Sequence, residues 1–250
     1  MATTAVLFDL DDTLFDHWAC TRAALAALRN RFPAFEHQPV DRVEVEHRRL
    51  LEELHLQVLA GRMTVDDARI ERFRQLLGFV GEAADADSAV EAAAAYRAAY
   101  RGHWRPVEGA RDLLAAVHER VATGVVTNNV AFEQRQKIAA CGFGPLLDVA
   151  VISEEAGVTK PDPRIFRMAL DQLGCPASET VMIGDAWATD IVGARAAGIR
   201  PVWFNRFGAP SPDRSVTEVR SLAPVSVVLS VLFQSPESRV PNPESRPGNP

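Results

Sequence analysis

Lysine is nearly missing from this chain: two of 250 residues, beside 25 arginines. Cysteine is also sparse, and Cys20, Cys141 and Cys175 are far apart, odd in number and without a CxxC pair. That excludes a disulfide framework or a zinc knuckle and points to a reducing compartment, the cytoplasm. No apolar run approaches the ~18 residues of a membrane span. Asp9 interrupts the first apolar stretch before it can read as a signal region. A net charge of −6 with no basic run argues against nucleic acid as a partner. The chain holds no Gly-rich Walker loop, no GxSxG elbow and no HExxH pair, which removes three common routes to hydrolysis. Its six histidines are scattered, and His47 and His55, eight apart in a helical stretch, read as surface residues.

What remains is an ordinary soluble composition, 47% hydrophobic and 24% charged, long enough for one large domain or a core plus a smaller one. Residues 16–105 carry no strand pattern. Apolar residues recur there at helical spacing near 18–31, 41–60, 64–78 and 86–101, with Asp41 and Thr64 as N-caps and breaks near Gly61 and Gly81. The remainder alternates. Short apolar runs at 5–8, 121–126, 149–152, 180–183 and 201–204 read as buried strands, with helices near 110–120, 131–141, 163–173 and 189–197. The pattern predicts an α/β fold: a Rossmann-like parallel sheet with helices on both faces, formed by 1–15 and 106–233, and an inserted all-helical domain at 16–105. Residues 234–250, rich in Pro, Ser, Asn and Glu, read as a disordered tail.

Ligands in such sheets bind beyond the carboxyl ends of the strands. The chemistry-bearing residues fall there. Asp9 and Asp11 end the first strand and, two apart on an extended segment, point the same way. Such a pair suits a charged nucleophile beside a proton donor and acceptor, although an acidic turn capped by Asp11, Asp12 and Thr13 would look similar. Thr127-Asn128-Asn129 follows the next strand, where a hydroxyl and free N–H groups bind phosphate oxygens or Asn128 or Asn129 simply caps a helix. Lys160 is one of the two lysines; Pro161 disfavours helix at it, and Asp162 and Pro163 start the next helix, so it is either a fixed site residue or a solvated loop lysine. Gly184 allows a tight strand exit before Asp185, a hard-cation ligand. Asp190 can orient a ligand, hold a water, pair with Lys160 or act as an N-terminal helix acid.

In this order and at these places, Phe8-Asp9-Leu10-Asp11-Asp12-Thr13-Leu14, Thr127-Asn128, Lys160-Pro161 and Gly184-Asp185 with Asp190 resemble the four signatures of the haloacid dehalogenase-like hydrolases. The stretch 151–166 is similar to the phosphatase branch, and the likeness runs from residue 5 to about 210. It implies a Rossmann-like core with a helical cap inserted after the first motif. It also implies that Asp9 attacks phosphorus and that Asp11 protonates the departing alcohol and then activates water. Mg2+ would be held by Asp9, Asp185 and the backbone carbonyl of Asp11, while Thr127, Asn128 and Lys160 bind the phosphoryl group. Thr13 joins the phosphate-binding candidates and Asp190 a supporting role. The expected partner is a small phosphate ester, with nucleoside monophosphates slightly ahead of sugar phosphates and phosphoglycolate. Phe15, His17 and Trp187 would line the substrate entrance, although aromatic packing between domains explains Phe15 and Trp187 equally well. A dehalogenase, a phosphomutase and a catalytically retired binding module are the rivals; a dehalogenase has no alcohol to protonate, so Asp11 argues against it.

Overall fold

A computed structural model describes residues 2–59, 61–82 and 85–234; the tail expected from 234 onward lies, apart from Gln234, outside the described residues. The chain divides into two compact units, one of Met1–Phe15 with Pro106–Pro250 and the other of Asp16–Arg105. In chain order the elements are β1 (Ala5–Phe8), α1 (His17–Leu28), α2 (Val40–Leu59), α3 (Val65–Val80), α4 (Ala86–Gly102), α5 (Ala110–His118), β2 (Ala122–Thr127) and α6 (Ala131–Ala140). There follow β3 (Val149–Ile152), α7 (Ser153–Ala156), α8 (Pro163–Leu173), β4 (Thr180–Gly184), α9 (Val192–Ala196), β5 (Arg200–Phe204), β6 (Thr217–Val219) and α10 (Val225–Phe233). No described helix is long and apolar enough to cross a membrane.

The larger unit is a six-stranded, wholly parallel sheet in the order β3-β2-β1-β4-β5-β6. Parallel strands are covered on both faces and so read as continuous apolar runs; all four residues of β1 are buried. The chain winds outward from β1 through β2 to β3, then returns to the other side of β1 with β4. That reversal opens a crevice at the carboxyl ends of β1, β2 and β4. Helix α8 shows how the sheet is covered. Asp162 caps it by accepting from the Arg164 N–H, Pro163 starts it and Gly174 at φ 66° ends it. Its buried stripe of Ile165, Phe166, Ala169 and Leu170 packs with Leu7, Val126, Val151 and Met182, and each large apolar side chain so buried contributes about 1.5–3 kcal/mol.

Besides the one-turn helix α7, two elements have no counterpart in the sequence reading. Strand β6 has three residues, of which only Val219 is buried, too few for a period. Helix α10, VSVVLSVLF, is almost uniformly apolar and β-branched, a run whose spacing cannot separate helix from strand. Its buried residues, Val228 and Leu232, are one helical turn apart.

The second unit consists of α1 to α4 around a core that includes Leu25, Leu28, Phe35, Leu50, Phe73, Leu76 and Leu77. Thr64 caps α3 as expected, its hydroxyl accepting from the Asp67 N–H. Asp41 does not cap α2, because that helix begins at Val40 and Asp41 lies inside its first turn. His55 is exposed, but His47 is not. It shares the buried stripe of Val43, Leu50 and Leu54 and packs against Tyr96 and Phe73, with ring centroids 5.0 and 5.9 Å away. Burial, with Arg72, His17 and Arg48 nearby, holds its imidazole well below the ordinary histidine value. The Nδ1 of His17 meets the Tyr100 hydroxyl at 2.7 Å.

Candidate active site

Strand β1 ends in a turn that reverses the chain within six residues. The Leu10 carbonyl accepts from the N–H groups of Leu14 and Phe15 at 2.9 and 2.8 Å, and Asp12 sits at φ 60°, a left-handed conformation that aspartate tolerates better than most side chains. The turn leaves Asp9 at the strand end with its carboxylate facing the β4 side. Lys160 Nζ lies 2.5 Å from Asp9 Oδ1 and 2.7 Å from Asp190 Oδ1. The lysine is 4% exposed and Asp190 fully buried. A buried ion pair survives only if its remaining hydrogen-bonding capacity is met. For Asp190 it is met, because its Oδ2 accepts from the Ala186 N–H at 3.0 Å and its Oδ1 from the Thr189 hydroxyl at 3.2 Å.

Each partner is placed by the backbone. Asp190 lies in a single π-helical turn, Trp187–Ile191, that leads into α9. Its carboxylate folds back over Gly184, where a Cβ would stand 2.6 Å from Asp190 Cγ. Glycine is therefore required at the β4 exit for steric reasons, not for a left-handed backbone, which Gly184 does not adopt. Lys160 is held through its main chain: the Asn128 side chain accepts from the Lys160 N–H at 2.8 Å and donates to the Lys160 carbonyl at 3.0 Å. Neither Asn128 nor Asn129 caps α6, whose N-cap is Val130. Thr13, buried at the turn, accepts from the Asp185 N–H at 3.1 Å and lies 3.4 Å from Asp185 Oδ1, so its hydroxyl positions Asp185. The Trp203 indole N–H donates to the Asp185 carbonyl at 2.8 Å, and Trp187 packs edge-on against Trp203.

Asp9, Asp185 and Asp190 present oxygens that all lie within 4.8 Å of one another. Three carboxylates against one ammonium leave two surplus negative charges in a largely dry place. The protonation tendencies follow. Burial pushes the Asp9 carboxyl up to about 7, against the pull of Lys160 and helped by Asp190 and Asp11. Burial, Asp9, Asp190 and Asp12 push Asp185 well above the carboxylate range. Burial draws the Lys160 ammonium down, yet Asp190 and Asp9 together more than offset it and hold it above its ordinary value. A divalent cation with a taste for hard oxygen donors fits this set, since it removes both surplus charges at once.

The Asp11 side chain stands apart from that cluster. Its Oδ1 meets Lys137 Nζ at 2.6 Å and its Oδ2 accepts from Gln134 Nε2 at 3.0 Å; the same Gln134 nitrogen is 2.7 Å from Thr127 Oγ1. Thr127 thus shares a network with Asp11, while Asn128 serves the Lys160 loop. Gln134 and Lys137 are absent from the sequence reading, which placed only a helix near 131–141; the scarcity of lysine was the available signal for Lys137.

The family described as haloacid dehalogenase-like hydrolase matches residues 3–198. The chain belongs to that family. Among curated relatives, this haloacid dehalogenase-like hydrolase is 30% identical over 220 residues to the ribulose-1,5-bisphosphate 5-phosphatase of Halopiger xanaduensis, covering 86% of this chain and 88% of the other. It is 40% identical over 119 residues to a phosphoserine phosphatase of Thermus thermophilus, but that match spans only 48% of the relative. Among solved structures, the magnesium-bound HAD-hydrolase YfnB of Bacillus subtilis superposes with a TM-score of 0.71 at 26% identity, covering 92% of this chain and 99% of that one. A 2-haloacid dehalogenase from Pseudomonas syringae gives a TM-score of 0.60 at 27% identity over 92% and 99%.

Proposed function

We propose that this hydrolase is a magnesium-dependent phosphatase acting on a small phosphomonoester through a phosphorylated Asp9. The observation that carries the reading is the separation of two carboxylates two residues apart: Asp9 shares Lys160 with Asp190, whereas Asp11 sits on its own donors, Lys137 and Gln134. One is placed to attack and the other to move protons.

In the first step an Asp9 oxygen bonds to phosphorus as the ester P–O bond breaks, and Asp11 gives a proton to the departing alkoxide. In the second, Asp11 takes a proton from water, the water oxygen bonds to phosphorus, and the Asp9–phosphorus bond breaks to release inorganic phosphate. Lys160, the Thr127 hydroxyl and the Asn128 N–H stabilise the charge on the equatorial oxygens of the transferring group. Mg2+, held by Asp9, Asp185 and the Asp11 carbonyl, would supply the positive charge that keeps Asp9 ionised near neutral pH and draws in a phosphoryl oxygen. Asp190 holds Lys160 in place, and Thr13 holds Asp185.

A halide leaves without a proton, so a dehalogenase would have no use for an acid carried on two dedicated donors. The likeness to a 2-haloacid dehalogenase keeps that chemistry as the second reading. Because the relative matched over most of its length is named for a sugar bisphosphate, sugar phosphates replace nucleotides as the leading substrates. The test is phosphate release from a panel of sugar phosphates and nucleoside monophosphates, with Mg2+ and with EDTA, beside halide release from 2-haloacids. Phosphate release that needs Mg2+ and vanishes in Asp9→Asn is the expected result; halide release alone would reverse the assignment.

A further inference from the structure

The chain's two lysines, in a sequence that uses arginine everywhere else, each sit on one of the two aspartates of the Asp9–Asp11 motif. Lys160 belongs to the third sequence motif. Lys137 belongs to none. It lies in the last turn of α6 with 2% of its surface exposed, Nζ 2.6 Å from Asp11 Oδ1 and 5.0 Å from the centroid of the Phe15 ring. Gln134, three residues earlier and so on the same helix face, is fully buried. We propose that Lys137 and Gln134 are positioning residues for the proton-transfer step: together they fix the plane of the Asp11 carboxylate and tie it to the phosphate-binding hydroxyl of Thr127. The inference rests on the phosphatase reading above and deepens it.

Three observations support it. First, the two oxygens of Asp11 have separate donors on separate side chains. A carboxylate gripped at one oxygen can still turn about its Cβ–Cγ bond, whereas one gripped at both cannot. Second, the clamp is deeper than what it holds: the Asp11 side chain is 24% exposed while that of Lys137 is 2% exposed. The clamp is thus buried while part of the Asp11 side chain stays at the surface. Third, the orientation of the Gln134 amide is dictated by the site at some cost. Its nitrogen serves both Asp11 Oδ2 and Thr127 Oγ1, and its carbonyl oxygen, buried, finds no partner among the described residues. Turning the amide over would satisfy neither contact in the same way, because it would bring that oxygen against the carboxylate. With Thr127 Oγ1 accepting from Gln134, the threonine's own proton is left for a phosphoryl oxygen. One amide therefore sets both the group that protonates the leaving oxygen and the group that grips the phosphate. A compact ammonium suits this enclosed place, where a planar guanidinium would need room for five donors.

The alternative is that Lys137 and Gln134 only stabilise the core unit. The two roles separate by leaving group. p-Nitrophenolate departs from its phosphate ester without help, whereas an alkyl alkoxide needs a proton from Asp11. The ratio of kcat/KM for ribose 5-phosphate to that for p-nitrophenyl phosphate, with saturating Mg2+, isolates the first chemical step. In Lys137→Met that ratio should fall at least tenfold, a part of the ~10²–10⁴-fold that general acid–base catalysis contributes. Gln134→Met, neutral and close in volume, should move it in the same direction and serves if the lysine variant does not fold. An equal loss on both esters, or no loss on either, in the variants that fold would overturn the positioning role while leaving the phosphatase reading intact. A wild-type protein that releases no phosphate from either ester would overturn both.

Discussion

Replacing Lys160 with methionine removes the ammonium that sits beside the Asp9, Asp185 and Asp190 carboxylates while keeping most of the side-chain volume. The ammonium is within 2.7 Å of two of them, and stranding a buried ionic partner costs about 3–5 kcal/mol. In metal-free protein the loss should therefore be a large part of a typical stability of about 5–15 kcal/mol. Asp9 and Asp185 can blunt it only by taking up protons. Mg2+ should restore more stability to the variant than to the wild type, because it then offsets three charges rather than two; saturation at a hundredfold over Kd is worth about 2.7 kcal/mol. Activity should not follow stability. Loss of a donor to the transferring group costs about 10²–10³ in kcat, and added Mg2+ cannot replace a donor at that position. The assay is urea unfolding near neutral pH, with EDTA and then with a Mg2+ series, alongside turnover of the best substrate. A metal-free variant within about 0.5 kcal/mol of wild type, the range of an ordinary surface change, would refute the view that Lys160 holds these carboxylates together.

The close fit of Gly184 against Asp190 predicts that Gly184→Ala loses about 1–3 kcal/mol by overpacking and weakens Mg2+ binding by pushing Asp190 off Lys160; unchanged melting and Mg2+ titration curves would contradict it. Asp9 is pushed from an ordinary 3.8 to about 7 by burial and its acidic neighbours. Between those values the folded metal-free protein keeps a proton that the unfolded chain releases, so stability should fall as pH rises through that window and level off above it. Mg2+ binding must expel that proton, so its stabilising effect should grow over the same window. Thermal melts across a pH series with and without EDTA test both, and metal-free stability that rises with pH would count against the assignment.

Much of this architecture was legible because parallel strands are apolar throughout and end abruptly in polar chemistry. Asp9, Thr127 and Asp185 directly follow such runs and Lys160 lies in the connection beyond another, so the parallel sheet brings all four to one edge. The pairing of Asp190 with Lys160, one of several roles open to it in the sequence, was decided by the backbone: only the π-helical turn and the bare Cα of Gly184 let the carboxylate reach back. Gln134 was not legible as a site residue, and Lys137 was marked only by the rarity of lysine. Their reach to Asp11 depends on which face of α6 meets the β1 turn, which the spacing does not fix. His47 was misread for a related reason. Its polarity suggested solvent, but its position on the stripe of Val43, Leu50 and Leu54 set its burial, and aromatic neighbours accept a neutral imidazole.

The indole of Trp203, donating to the main chain of Asp185 and braced edge-on by Trp187, places a native fluorophore one peptide away from the acidic cluster. Any ligand that draws electron density from the Asp185 carboxylate or shifts its backbone changes the field at that ring. Binding at this pocket is therefore observable by intrinsic emission, without a label and without turnover, and replacing Trp203 by phenylalanine should silence the response while the pocket still fills.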